Sequence, residues 1–129
     1  MLEKFPNDVN YVIKHFPLPN HSFAHQGAMA ALAAGRQGQF WAFHGQLLEN
    51  HRRLNEEKLL EIARGLGLEI DRFNQDRQLA SSRQLIQQDI DNGKKIGVAG
   101  TPSVFMNGKR INNRDLGSLE VLIIRELTQ

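Results

Sequence analysis

The side chains able to do chemistry are unevenly spread. All five histidines (His15, His21, His25, His44 and His51) fall in the first half of the chain. His21 and His25 stand four apart, a spacing that can bring two imidazoles to one helix face and a metal ion. His21, however, lies ahead of the expected helix, and neither residue has a carboxylate nearby to act as third ligand. The pair reads as surface and capping histidines, with no metal site and no cofactor expected. His44 lies among Phe40, Trp41 and Phe43. It reads as a packed or solvent-edge histidine, and the three aromatics as core rather than as the lining of a groove.

Cysteine is absent from all 129 residues. That removes intrachain disulfides, thiolate metal sites, cysteine nucleophiles and dithiol redox chemistry from what these residues can do. No phosphate-binding loop, nucleophile elbow or metalloprotease motif appears. Gly97-Val98-Ala99-Gly100 lacks the spacing and the strand-to-helix context of a nucleotide-binding turn. What remains is Thr101-Pro102. A proline directly ahead of an apolar strand cannot donate to a central ladder, so it marks the strand's first residue. By base rate alone the bond before it is trans.

These residues need elements to position them. The length suits one domain that buries its own core, and 40% hydrophobic with 23% charged residues is ordinary for a globular chain. A net charge of +2 makes no case for nucleic acid. No stretch reaches the roughly 18 apolar residues of a membrane span. Met1 to Asn10 carries acids and no apolar run, and does not read as a signal peptide.

Along the chain, Asp8 to Phe16 is β-branched and aromatic and is stopped by Pro17 and Pro19, which predicts a strand. An alanine-rich helix follows, capped by Asn20 or Ser22 and interrupted at Gly35 and Gly38. A second helix is expected over Phe40 to Glu49. A third starts at Asn55 and ends at Gly65 or Gly67. A short one falls within Leu68 to Gln78, and another opens at Ser81 or Ser82 and fades near Asn92-Gly93. Ser103 to Met106 and Lys109 to Ile111 read as strands joined at Asn107-Gly108, a pair suited to a type I′ turn. A last helix begins at Gly117 or Ser118.

In order and wording, several of these segments resemble one family. His15-Phe16-Pro17-Leu18, the alanine-rich helix, Gly38-Gln39-Phe40-Trp41 with His44, and Gly97-Val98-Ala99-Gly100-Thr101-Pro102-Ser103-Val104-Phe105 with Asn107-Gly108 look like a DsbA-like thioredoxin-fold protein. The kin are bacterial thiol:disulfide oxidoreductases. The resemblance covers nearly the whole chain and is most specific at Gly-Thr-Pro before the apolar strand. It implies an α/β thioredoxin-like fold as a single domain over residues 1–129, with a helical insertion over 20–91 and a C-terminal ββα unit over 96–129. It further implies a cis bond at Pro102, and a substrate-binding loop of Gly100, Thr101 and Pro102 that holds extended peptide or unfolded protein by strand addition.

The departure from the family is its chemistry. The family places a first strand and a Cys-x-x-Cys ahead of the segment matching Val9 to Phe16, and neither is found here. The expectation is an N-terminally truncated family member with no catalytic residue of its own for thiol redox. Its sheet would be completed by a homodimer or by rearrangement, since the missing strand is central. Two other functions compatible with the fold are a non-catalytic peptide-binding module and a relative of kappa-class glutathione transferases or isomerases. The compartment follows from the true start: periplasmic for a piece of an exported relative, cytoplasmic if Met1 is natural.

Overall fold

A computed structural model describes residues 4–18, 23–100, 103–112 and 116–127. The order of elements is α1 (Ala24–Gly35), α2 (Phe40–Glu49), α3 (Glu56–Gly65), α4 (Ile70–Asp76), α5 (Ala80–Lys95), β1 (Val104–Met106), β2 (Lys109–Ile111) and α6 (Leu116–Leu127). The chain divides into two compact units. One is the helical unit, Lys14–Gly97, and the other joins Met1–Ile13 to Val98–Gln129.

In the helical unit α1 is the central helix and touches α2, α3, α4 and α5. Its sequence explains the position. Ala30, Ala31, Ala33 and Ala34 are all buried and present only methyl groups, so neighbouring helices approach closely. Gly35 continues the same logic, because a Cβ there would stand 3.3 Å from the Cβ of Phe40. Around α1 the bulky residues Phe43, Leu59, Ile62, Leu68 and Phe73 fill the core. Phe43 and Phe73 are fully buried, with ring centroids 5.6 Å apart.

Helix ends follow local chemistry. Asn55 accepts from the Lys58 amide at 2.7 Å and caps α3, where Glu56 and Glu57 meet the positive end of the helix dipole. The far end of α3 closes in a Schellman motif. The Leu68 amide reaches Ala63 O and the Gly67 amide reaches Arg64 O, with Gly67 at φ +75°. Gly38, at φ +77°, closes α1 the same way through Gln39 N–H to Ala34 O. The loop after it then serves α4: Gln37 Oε1 accepts from the Glu69 amide at 2.9 Å, and Gln37 Nε2 donates to Glu69 O at 3.2 Å.

Three sequence expectations are corrected. Asp8 to Phe16 is not a strand: residues 9–18 are irregular, with Tyr11 and Val12 more than half exposed. A β-branched run becomes a strand only when a neighbour supplies its ladder. Among the described residues β1 and β2 pair solely with each other. Neither Ser81 nor Ser82 caps α5. The N-cap is Leu79, and Ser82 is buried inside the first turn. α1 is preceded by Phe23 in a left-handed conformation (φ 63°) with no side-chain cap, while Asn20 and Ser22 lie outside the described residues.

In the second unit β1 and β2 form an antiparallel hairpin with Val104 opposite Ile111, Phe105 opposite Arg110 and Met106 opposite Lys109. Asn107 (φ 49°) and Gly108 (φ 83°) supply the two positive φ values of a type I′ turn. Asn107 Nδ2 donates to Glu126 Oε2 of α6 at 3.2 Å, and the Arg110 guanidinium lies 5.5 Å from the Phe105 ring centre. Ile123 of α6 is buried, whereas Val121, Ile124 and Leu127 are about half exposed.

Candidate functional site

The loop expected to hold substrate sits between α5 and β1. Gly97, at φ +87°, turns the chain out of α5, a conformation that an L side chain rarely adopts. Ser103 Oγ donates to Gly100 O at 2.7 Å, so the residues on either side of Thr101-Pro102 are tied together. Thr101 and Pro102 themselves lie outside the described residues. Ser103 leads directly into β1, whose only ladder among the described residues is the one to β2.

A second constellation belongs to the helical unit. Phe40 is its hub. His44, one turn on in α2, stacks parallel to it at 5.8 Å with an interplanar angle of 6°. Trp41 meets Phe40 edge-on at 5.2 Å and His44 at 6.1 Å. His15 comes from the segment before α1 and meets Phe40 edge-on at 6.3 Å. Thus the aromatics of α2 divide. Phe43 faces the core as expected, but Trp41 is 54% exposed. The i, i+3 spacing decides this: Phe40 and Phe43 share the inward side, and Trp41 sits around the helix from them.

Both imidazoles in this cluster are held below the usual histidine range. For His15 the cause is chiefly burial, opposed by the negative charge of Asp89 and reinforced by His44 and Lys14. For His44 it is burial. Both rings are therefore neutral at pH 7. Asp89, on α5 and 6% exposed, accepts the His15 backbone amide at 2.9 Å and has Lys14 Nζ at 3.9 Å. Sequence reasoning did not find this link. It joins residues 74 apart, and no local signal announces it. Among the described residues no group of three histidines, cysteines or acids is placed to hold a metal. His25 is exposed, and His21 is outside the described residues.

Comparison with known proteins decides the lineage. A family model described as thioredoxin matches residues 2–124. The chain belongs to the DsbA-like thioredoxin-fold family. Its structure resembles the crystal structure of a thioredoxin-like oxidoreductase from Silicibacter pomeroyi with a TM-score of 0.76 and 26% identity. The match covers 90% of this chain and 67% of that one. Curated relatives include the Na(+)/H(+) antiporter NhaA 1 of Salinispora arenicola, 39% identical over 111 residues. Another is the Na(+)/H(+) antiporter NhaA of Herminiimonas arsenicoxydans, 31% identical over 107 residues. These matches take in 85% and 83% of this chain but 17% of each antiporter, so the chain spans about a sixth of their length. No described helix is long and apolar enough to cross a membrane. Within this thioredoxin-like fold the described residues are mostly helical, with one small two-stranded sheet. With no cysteine in its 129 residues, the chain brings the fold of an oxidoreductase without a thiol of its own.

Proposed function

We propose that this chain is the substrate-holding part of a DsbA-like thiol:disulfide oxidoreductase. It holds extended segments of peptide or unfolded protein along Gly100, Thr101, Pro102 and the edge of β1. The observation that carries the reading is β1 itself. Among the described residues it is hydrogen-bonded on one side only, and it begins just after the Gly100-to-Ser103 tie. An edge strand is what strand addition requires: backbone groups bind, and side-chain pockets select. In this reading the Thr101-Pro102 bond is cis, as in the family. Any dithiol acting on the held segment lies outside the 129 residues, which agrees with a solved oxidoreductase relative of which this chain covers 67%. Isothermal titration with unfolded peptides tests it. Binding by the unaltered protein, weakened in Pro102→Ala, is the expected result, and no binding by the unaltered protein overturns it.

The division of labour has its own test. Sequence upstream of Met1 encoding an in-frame Cys-x-x-Cys supports the oxidoreductase. An in-frame stop with no such motif favours the second reading, a peptide-binding module without redox chemistry. Family membership alone does not separate the two, since a fold does not fix a function.

We further propose that the two-stranded sheet is completed by a second copy of the chain. An isolated hairpin is marginal in water, and Tyr11 and Val12 stand 51% and 59% exposed, unusual for a β-branched and aromatic run. Light scattering is expected to report a dimer at micromolar concentration. A stable monomer would sink this part without touching peptide binding.

A further inference from the structure

The chain passes between its two units twice, at Ile13–Lys14 and at Gly97–Val98. The first of these passages is anchored at a buried carboxylate of the helical unit. Lys14 and His15 are the first residues of the helical unit, and Asp89 of α5 takes the His15 amide at 2.9 Å and draws Lys14 Nζ to 3.9 Å. α5 ends at Lys95, two residues before Gly97. The entering segment is thus fastened to the helix that carries the chain out. The fastening has a second point, the edge of the His15 ring against Phe40, whose face is stacked on His44.

We propose that Lys14–His15 is a proton-released latch, closed on α5 and Phe40 while the imidazoles of His15 and His44 are neutral and opened when they gain protons. The groups that act on His15 are few. Asp89 on α5 favours its cation, whereas His44 on α2 and Lys14 on its own segment oppose it. Burial opposes it most, and burial also opposes the cation of His44. A cation at either ring gives up part of its hydration against Phe40.

The direction follows from linkage. Closed, both rings resist protonation; open, they titrate at the ordinary histidine value of 6.5. The closed form is therefore fully favoured above that value and loses ground as pH falls below it. Opening therefore frees the entering segment from α5.

Hydrogen exchange of the His15 amide, followed by NMR on the intact chain and normalised for the intrinsic pH effect, is the test. Protection is expected to fall roughly tenfold or more between about pH 7.5 and about pH 5, in step with the His15 and His44 ring resonances. Core amides such as that of Phe43 should keep theirs. His15→Phe with His44→Phe keeps rings in both places and should make the protection independent of pH. Should His15→Phe fail to fold, His44→Phe alone is expected to shift the loss to higher pH, because it removes the neighbour that opposes His15 protonation. Equal protection at both pH values with the rings titrated, or a loss that persists in the double variant, overturns the latch.

Discussion

The two units of this chain are built from comparably apolar sequence but solve burial differently. Among the described residues of the helical unit twelve apolar ones are buried, with Phe43 and Phe73 at the centre. In the other unit Ile123 is the one buried apolar residue among those described, while Tyr11, Val12, Val121, Ile124 and Leu127 face outward. The first unit closes on itself because its helices share one central partner, α1. The second depends on strand pairing, and a strand has no structure until another backbone meets it. A closed core and an open one thus coexist in a single polypeptide.

The sharpest way to break that comparison is to empty each core in turn. Phe43→Ala should cost about 3–5 kcal/mol, read by urea unfolding with Trp41, the sole tryptophan, as the reporter of the helical unit. Ile123→Ala should cost no more than about 2 kcal/mol, read from exchange of the β1–β2 amides, since its surroundings are half open. An Ile123→Ala loss equal to that of Phe43→Ala would mean that the second unit has a closed core after all.

Smaller effects sharpen the contrast. Asn55→Ala removes the acceptor for the Lys58 amide and should cost about 1 kcal/mol, measured by thermal unfolding. Glu56 forms a two-point ion pair with Arg77, whose hydrogen bonds hold its carboxyl below the usual value of 4.5. Its contribution is present above pH 4.5 and lost as pH falls through the lowered value. With the Glu56 side chain 57% exposed, Glu56→Gln should change stability by under about 1 kcal/mol. A titration of stability should therefore show the histidine loss starting near pH 6.5 and the Glu56 loss only below 4.5. The reverse order would contradict both assignments.

What could be read from sequence follows the same divide. α2 runs from Phe40 to Glu49 as its periodicity predicts, and Asn55 caps α3 because an asparagine and two acids are a local instruction. Asn107-Gly108 turns the hairpin for the equally local reason that both residues tolerate positive φ. Val9 to Phe16 carried every mark of a strand and is not one, because its ladder depends on a partner far away in the chain. Of the candidate site, Gly100, Thr101 and Pro102 stood out through family resemblance rather than through any chemistry of their own. The Asp89 link to His15 was beyond reach. A backbone amide has no letter in the sequence, and the acid that accepts it looks like any other acid on an exposed helix.

The alanines of α1 limit what this protein can become. Four buried positions there hold nothing larger than a methyl group, and the next residue, Gly35, has a neighbour within 3.3 Å of where its first carbon would be. Elsewhere in the core one bulky side chain can be exchanged for another if its neighbours adjust. At these positions of α1 any added carbon must displace a packed neighbour, so the working alphabet shrinks to the smallest residues. Lineages carrying this domain should vary widely on the outside of α2, α3 and α5 and scarcely at all along this one inner line. The part of the molecule with the plainest side chains is then the part with the least freedom to drift.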